Sequence, residues 1–262
     1  FSDSRKTGMK ALLSQRIAYW QRYLKRSSFA LGKNFTPRRF ANFLAVEIQQ
    51  RLLAPRVIGL PYSVFVDPAN VCMLHCPLCG TGCGHIPRKR GLLTYDQFVQ
   101  YISPLAPFLY TVKLYNYGEP FLNPDLASMV NFCSSRKITT HVNSNLNALT
   151  PQQASEIVEA GLDRLVVSFD GVTQKAYSSY RRGGDIAKVK ESIRLLNEAK
   201  SRHKRTTPQL VLQFLVTRHN EEEYGAVDQY AHSVGAQFFP QPITIDPQNK
   251  DHLREWLPVN DN

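Results

Sequence analysis

The chain has 262 residues, of which 43% are hydrophobic and 20% charged, and this composition is typical of one sizeable globular domain with an appendage. No apolar run approaches the roughly 18 residues that a membrane-spanning helix requires, and the sequence begins without the apolar core of a signal peptide. The net charge of +11 is uneven, because residues 1–60 carry twelve Lys and Arg against two acidic residues, a net +10, whereas residues 61–262 carry twenty against nineteen, a net +1.

Residues 1–60 are predicted to form a basic helical N-terminal extension. One amphipathic pattern has an apolar face made of Leu13, Ile17, Trp20 and Leu24. A second pattern covers residues 40–53 and follows Thr36 and Pro37, which suit the N-cap and first position of a helix. These helices either pack on the rest of the chain or dock to an anionic membrane surface or an acidic leader peptide. Nucleic acid is the least favoured partner, since no RNA-recognition motif is present.

Residues 61–246 alternate between strand and helix patterns. The predicted strands are residues 62–66, 111–117, 138–143, 164–169, 209–216 and 236–245. The predicted helices are residues 95–105, 124–136, 151–160, 186–202 and 221–234. Six strands joined by five helices predict an α/β fold with a parallel sheet. Residues 247–262 are predicted to be a polar C-terminal tail.

Three of the five cysteines lie in one short segment after the first predicted strand. Cys72, Cys76 and Cys79 have the spacing C-x3-C-x2-C. Clustered thiolates favour a soft metal centre, and three of them leave one position of a four-coordinate site open. A zinc site remains the alternative, with Cys83 or a nearby histidine as the fourth ligand. Free cysteines of this kind predict a reducing compartment, so we expect a cytoplasmic protein.

This cysteine segment resembles the cluster-binding motif of the radical S-adenosylmethionine (radical SAM) superfamily. The resemblance implies a partial six-stranded parallel (β/α)6 barrel preceded by the N-terminal helices. It also implies that Cys72, Cys76 and Cys79 hold a 4Fe-4S cluster whose fourth iron binds SAM, with Cys83 outside the ligand set. Leu78 stands where the family often has an aromatic residue and is expected to pack against the adenine. The similarity is to the catalytic barrel of SPASM or twitch members, although no cysteine follows Cys133 in this sequence.

Further motifs match the family at the ends of the next strands. Gly118 and Glu119 resemble its Gly-Gly-Glu-Pro motif, where the glutamate receives the SAM amino group, and Tyr117 replaces the first glycine. Asn145 matches the Asn of a Thr-Asn-Gly motif and is expected near the methionine or ribose of SAM, while Leu146 stands at the glycine.

The fourth and fifth strands supply the remaining expected cofactor contacts. Ser168 and Asp170 belong to a Val-Ser-x-Asp-Gly signature, in which Ser168 would contact the SAM carboxylate or ribose. Asp170 either lies at the rim of the site or caps the following helix. Arg181 would bind the SAM carboxylate, and Val216 would pack on the adenine.

The resemblance implies reductive cleavage of SAM to a 5'-deoxyadenosyl radical, which abstracts hydrogen from a peptide, sugar or related metabolite. A reducing partner such as flavodoxin or ferredoxin would then be needed. The alternative is a non-catalytic Fe-S or zinc module that docks an acidic partner through its basic N-terminal helices.

Overall fold

The structure is a computed structural model that describes residue 32 and residues 34–53, 55–246 and 248–259. The predicted pattern containing Leu13 and Trp20 lies outside the described residues. Within the described ranges, no helix is long and apolar enough to cross a bilayer.

Six parallel strands form one sheet in the order of the sequence. They are β1 (Ser63–Phe65), β2 (Thr111–Lys113), β3 (Thr139–Ser144), β4 (Arg164–Ser168), β5 (Gln209–Val216) and β6 (Gln237–Pro242). Each strand pairs with the next, and β1 and β6 lie at the two edges. The predicted α/β fold is confirmed, and this open order is that of a partial barrel.

Eight α-helices are present in the described part of the chain. They are α1 (Pro37–Arg51), α2 (Tyr95–Ile102), α3 (Leu126–Ser135), α4 (Pro151–Glu159), α5 (Gln174–Tyr180), α6 (Ile186–Arg202), α7 (Tyr224–Ser233) and α8 (Lys250–Trp256). The predicted starts of α2 and α4 hold because Thr94 and Thr150 each form a capping box with the glutamine three residues later.

The second strand is shorter than predicted. It ends at Lys113, and the chain from Leu114 onwards turns across the end of the sheet. The backbone N–H of Tyr117 donates to Asp67 Oδ1 at 2.9 Å, and that of Glu119 donates to the Val71 carbonyl at 2.8 Å. These two backbone N–H groups bind the loop after β1, so they cannot donate to a neighbouring strand and extend β2.

The described chain divides into two compact units. The smaller one contains α1 and the residues up to Tyr62, together with Pro107–Tyr110. Thr36 accepts from the backbone N–H of Arg39 and caps α1 as predicted. The core of this unit is formed by Phe43 and Tyr110, with Tyr62 in edge contact with Phe43.

The larger unit contains the sheet, its helices and a C-terminal helix that the sequence reading missed. Residues 247–262 were predicted to be a polar tail, but α8 lies there and buries Trp256, which is 2% exposed. Trp256 packs in an edge contact with Tyr180 and belongs to the apolar cluster that contains Leu74 and Cys76. Two apolar side chains, Leu253 and Trp256, among the seven residues of α8 give too weak a periodicity to indicate this helix.

Candidate functional site

A cavity of about 290 Å³ lies at the C-terminal ends of the strands, where functional groups collect in parallel β/α barrels. Its walls are Cys72, Leu74, Cys76, Cys79, Gly82, Tyr115, Asn116, Gly118, Glu119, Asn143, Ser144, Asn145, Ser168, Arg181 and Gln213. The cavity therefore collects the three predicted cysteine ligands and most of the predicted SAM contacts. Leu78 and Val216 are not among these wall residues. Leu78 packs beside the cluster of Leu74 and Trp256, so contact of either residue with adenine stays a prediction.

The cysteine segment is a compact loop on one side of the cavity. The backbone N–H of Cys79 donates to the Cys76 carbonyl at 3.1 Å, and Cys83 N–H donates to the Cys79 carbonyl at 2.8 Å. Burial raises the pKa of the Cys72 thiol to about 11 and also raises the pKa of Cys76. These thiols stay protonated near neutral pH unless a bound metal displaces the proton.

Cys83 differs from the other three cysteines of the loop. Its sulfur lies 2.7 Å from the Pro77 carbonyl oxygen, and it is not part of the cavity wall. Among the described residues, no three His, Cys, Asp or Glu side chains converge closely enough to hold a single metal ion. The identity of the cluster ligands therefore remains a prediction that rests on the shared cavity.

Glu119 is a fully enclosed carboxylate at the centre of the site. Its Oε1 atom accepts from Ser144 Oγ at 2.6 Å and from the backbone N–H of Phe121 at 3.1 Å. Its Oε2 atom accepts from the backbone N–H of Asn145 at 2.8 Å. Burial raises the pKa of Glu119, while these three hydrogen bonds oppose the rise. The carboxylate is thus oriented firmly, and Oε2 retains acceptor capacity for a ligand.

Gly118 allows the chain to approach the cysteine loop closely. Its φ of +106° lies in a region that favours glycine, and a Cβ atom there would lie 2.1 Å from the Ala69 carbonyl oxygen. Tyr117, which replaces the family's other glycine, points outwards and lies beneath the guanidinium of Arg88. The close approach is therefore retained at Gly118 alone.

The turn after β3 positions Asn145 beside the cysteine loop. Its Nδ2 atom lies 3.5 Å from Cys72 Sγ, and its Oδ1 accepts from the backbone N–H of Asn147 at 2.9 Å. Leu146 has a left-handed φ of +56° although it is not glycine, and its side chain is fully buried. Ser144 Oγ accepts from the Leu146 backbone N–H, which helps to hold the turn.

Asp170 and Arg181 form a buried ion pair, of which Arg181 lines the cavity and Asp170 lies behind it. Arg181 Nε lies 2.5 Å from Asp170 Oδ2, and Arg181 Nη1 lies 3.9 Å from Cys76 Sγ. Burial favours the neutral form of Arg181, but the Asp170 carboxylate together with Cys76, Tyr180 and Tyr177 outweighs it, and the pKa of Arg181 is raised. The helix-cap interpretation of Asp170 is wrong, because Thr173 caps α5 and Asp170 Oδ1 instead accepts from the Leu215 backbone N–H.

Asn143 lines the cavity, although the sequence motif favours Asn145 over it as the cofactor contact. Its Oδ1 atom is buried and has no hydrogen-bond partner within the part of the chain that the structure describes. A buried acceptor of this kind is costly unless a ligand satisfies it. The signal in the sequence was its position, two residues before Asn145 and therefore on the same side of an extended strand.

The residues present fit the cofactors that the resemblance implies. Three thiols border one cavity, which is the donor chemistry of an Fe-S cluster. The same cavity holds an oriented carboxylate, a guanidinium and an unsatisfied amide oxygen, which match the amino, carboxylate and donor groups of SAM.

Comparison with known proteins identifies the family of this chain. The family model described as "Radical SAM superfamily" matches residues 66–225. The PqqA peptide cyclase of Bradyrhizobium diazoefficiens is 27% identical over 127 residues, which are 48% of this chain and 33% of the cyclase. A probable GTP 3',8-cyclase of Methanococcus maripaludis is 25% identical over 195 residues, 72% of this chain and 62% of that enzyme.

The fold is also similar to a solved structure. The chain of Streptococcus suis SuiB bound to S-adenosylmethionine superposes with a TM-score of 0.59 at 14% identity, covering 78% of this chain and 44% of SuiB. The chain thus spans only part of the length of each of these proteins.

Proposed function

The chain belongs to the radical SAM superfamily, whose members use a 4Fe-4S cluster and SAM, and we propose that it abstracts hydrogen from a peptide, sugar or related metabolite. The observation that carries this proposal is the convergence of Cys72, Glu119 and Arg181 on one cavity at the C-terminal ends of the strands. The two relatives named above act on a peptide and on GTP, so they support the shared radical chemistry and leave the substrate open.

In this proposal Cys72, Cys76 and Cys79 hold the cluster. A bound and reduced cluster would supply the electron for cleavage of SAM to methionine and a 5'-deoxyadenosyl radical, and that radical would abstract hydrogen from the substrate. The cavity residues bind and orient these groups. Gly82 keeps the loop compact, since a Cβ atom there would lie 2.6 Å from the Cys76 backbone nitrogen.

The cofactor-binding residues act through charge and hydrogen bonding. Glu119, held by Ser144 and Asn145, would accept from the SAM amino group. Arg181 is held through Nε by Asp170, so its terminal nitrogens remain to donate to the SAM carboxylate. Gly118, Asn145 and Ser168 would complete the contacts, and Asn143 Oδ1 would accept from a SAM N–H or O–H group.

The partners follow from this chemistry. An electron donor such as flavodoxin or ferredoxin would reduce the cluster. Residues 1–60 would dock an anionic membrane surface or an acidic leader peptide through their excess of basic side chains. A reducing, cytoplasmic location would suit both the free thiols and the cluster.

The test compares two cysteine variants of the same loop after anaerobic reconstitution. We expect Cys76→Ala to lose the brown colour and most of the bound iron, because one of three ligands is missing. Cys83→Ala should keep both, since its sulfur is directed at the Pro77 carbonyl. Iron analysis and visible absorbance give the answer, and a colourless Cys83→Ala protein would contradict the ligand assignment.

Formation of 5'-deoxyadenosine then separates catalysis from binding. Reduced, cluster-loaded protein should cleave SAM, and the Cys76→Ala protein should not. An intact cluster without cleavage would favour a non-catalytic Fe-S module. Stoichiometric zinc in a colourless wild-type protein would favour the zinc module.

A further inference from the structure

Three basic residues, of which Lys113 and Arg164 are cationic at neutral pH, lie side by side on the inner face of the sheet, beneath the cavity. Lys113 on β2 pairs in register with His141 on β3, and His141 pairs with Arg164 on β4. We call these residues the cationic row. Neighbouring strands are about 4.8 Å apart, so side chains at these positions are close neighbours on one face.

The cationic row faces the same side as the cavity. Side chains in a strand alternate between faces, so His141 shares its face with Asn143. Beyond the end of β2, Tyr115 lies near Lys113, since both contact the Phe65 ring. Likewise, Arg164 shares its face with Ser168, and all three upper residues line the cavity. The row therefore lies below the cavity walls along the strands. The separation is two to four residues, which is about 7–13 Å along a strand.

Among the described residues, none forms an ion pair with the cationic row. Within 4 Å, no carboxylate there forms an ion pair with Lys113, His141 or Arg164. Lys113 Nζ instead lies 4.3 Å from the centre of the Phe65 ring, and Arg164 Nη1 lies 3.5 Å from Gln209 Oε1. These partners are neutral, and the Asp163 carboxylate, which acts on His141 and raises its pKa, offsets only part of the charge of Lys113 and Arg164.

The row is half-buried but can be reached. Lys113, His141 and Arg164 are each partly exposed, and the adjacent Phe65 at the sheet edge is 57% exposed. Burial and the neighbouring Arg164 and Lys113 charges lower the pKa of His141 to about 4, so the imidazole is neutral near pH 7. The row then offers two fixed cations and one neutral hydrogen-bonding group. These three groups could bind an anion that enters from the exposed edge of the sheet at Phe65.

We propose that the substrate of this radical SAM reaction carries an anionic group, a carboxylate or a phosphate, that binds Lys113, His141 and Arg164 and so places the rest of the substrate under the cavity. The inference rests on the proposed function, because it assigns the row to the same reaction. The depth of the row fits that role. With an anion bound at the row, the substrate carbon that reacts would lie in the layer above it, beside Tyr115 and Asn143.

The experiment measures binding of inorganic phosphate and, separately, of acetate to the cluster-loaded protein at constant ionic strength. Binding is read from the rise in melting temperature and from the NMR shift of the His141 ring, assigned with His141→Gln. The test variant is Lys113→Gln/Arg164→Gln. The matched control is Lys175→Gln/Lys188→Gln, which removes the same charge from exposed positions on α5 and α6.

We expect at least one of the two anions to bind the wild type and the control equally. Removal of two charge-assisted contacts should weaken that binding by tenfold or more in the test variant. The anion that binds more tightly identifies the group as phosphate or carboxylate. Failure of both anions to shift the His141 signal, or equal loss of binding in the control, would overturn the inference.

The assay for the proposed function is kept separate. Wild-type protein that cleaves SAM but binds neither anion overturns only the anionic-substrate inference. Cluster-loaded wild-type protein that binds an anion at the row but does not cleave SAM when reduced overturns the proposed catalytic function and leaves the anion site standing.

Discussion

Leu146 departs from the family motif and adopts a backbone conformation that favours glycine. It stands where the family has glycine, and it adopts the left-handed φ of +56° that glycine would adopt easily. A left-handed conformation costs a non-glycine residue roughly 1–2 kcal/mol. The complete burial of the leucine side chain, typically worth about 1.5–3 kcal/mol, offsets that cost.

This balance predicts an unusual order of stability at position 146. We expect Leu146→Ala to lower the free energy of unfolding by about 2–5 kcal/mol, since the contacts are lost and the strain remains. Leu146→Gly should be about 1 kcal/mol more stable than Leu146→Ala, because glycine relieves the strain. Urea unfolding of the apo-protein measures both.

The same two substitutions at Leu165 are the control for the effect of the positive φ. Leu165 is equally buried but lies in β4 without a positive φ, so Leu165→Gly should be less stable than Leu165→Ala. The same order at both positions would contradict the account of Leu146.

His141 gives the pH dependence of the fold. Its pKa is lowered to about 4, chiefly by burial and further by Arg164 and Lys113, whereas the ordinary value is 6.5. The unfolded chain therefore takes up this proton at a higher pH than the folded chain. The stabilising contribution is complete above about pH 6.5 and is lost as the pH falls towards 4, by about 2–3 kcal/mol.

We accordingly predict that His141→Gln flattens the acid limb of the stability curve. Urea unfolding between pH 7 and pH 4 would show a smaller loss in this variant than in the wild type. His232→Gln, at an exposed position on α7, is the matched control and should retain the wild-type loss. An unchanged acid limb in His141→Gln would show that this proton is taken up elsewhere.

At the scale of elements, Glu119 joins the loop after β2 to the end of β3. Both of its oxygens are used, by Ser144, Asn145 and Phe121, so the two loops are held as one wall. Glutamine has the same shape but only one acceptor oxygen. Either orientation of the amide therefore directs its NH2 group towards a backbone N–H, of Asn145 or of Phe121.

We predict that Glu119→Gln lowers the free energy of unfolding by about 1–3 kcal/mol, the cost of one unsatisfied buried donor. It should also weaken SAM binding to the cluster-loaded protein by roughly tenfold, through loss of the charge that faces the amino group. Calorimetric titration with SAM measures the second effect. Glu159→Gln, at an exposed position in α4, should change neither quantity.

The elements were predictable where local signals were strong. The bounds of α6 and β5 agree with the prediction because a long apolar period and a continuous buried strand are clear in the sequence. The short helix α5 was missed although Thr173 marks its start, since seven residues give too little periodicity.

The site was predictable only in part. The motifs identified the loops, but the sequence could not show that Asn143 has an unsatisfied oxygen or that Asp170 is committed to Arg181. Both facts depend on contacts between residues far apart in the chain.

For the whole molecule, the charge is concentrated at one end of the sequence. Residues 1–33 carry eight Lys and Arg against Asp3, a net +7 out of the total of +11. Deletion of residues 1–60 would remove this charge but would also remove Phe43, which packs with the fully buried Tyr110. A cut before Asn34 keeps this core and removes most of the charge, so it separates electrostatic docking from folding.

We predict that deletion of residues 1–33 leaves cluster content and SAM cleavage unchanged but weakens retention on anionic phospholipid vesicles. Each basic residue near such a surface contributes about 1 kcal/mol, so the loss should exceed a hundredfold at low salt and shrink as salt is added. Deletion of residues 1–60 should in addition lower the melting temperature, because Tyr110 becomes exposed. Co-sedimentation with anionic and with neutral vesicles measures the first effect. Equal retention of the full chain and the 34–262 protein would show that the N-terminal charge does not serve surface docking.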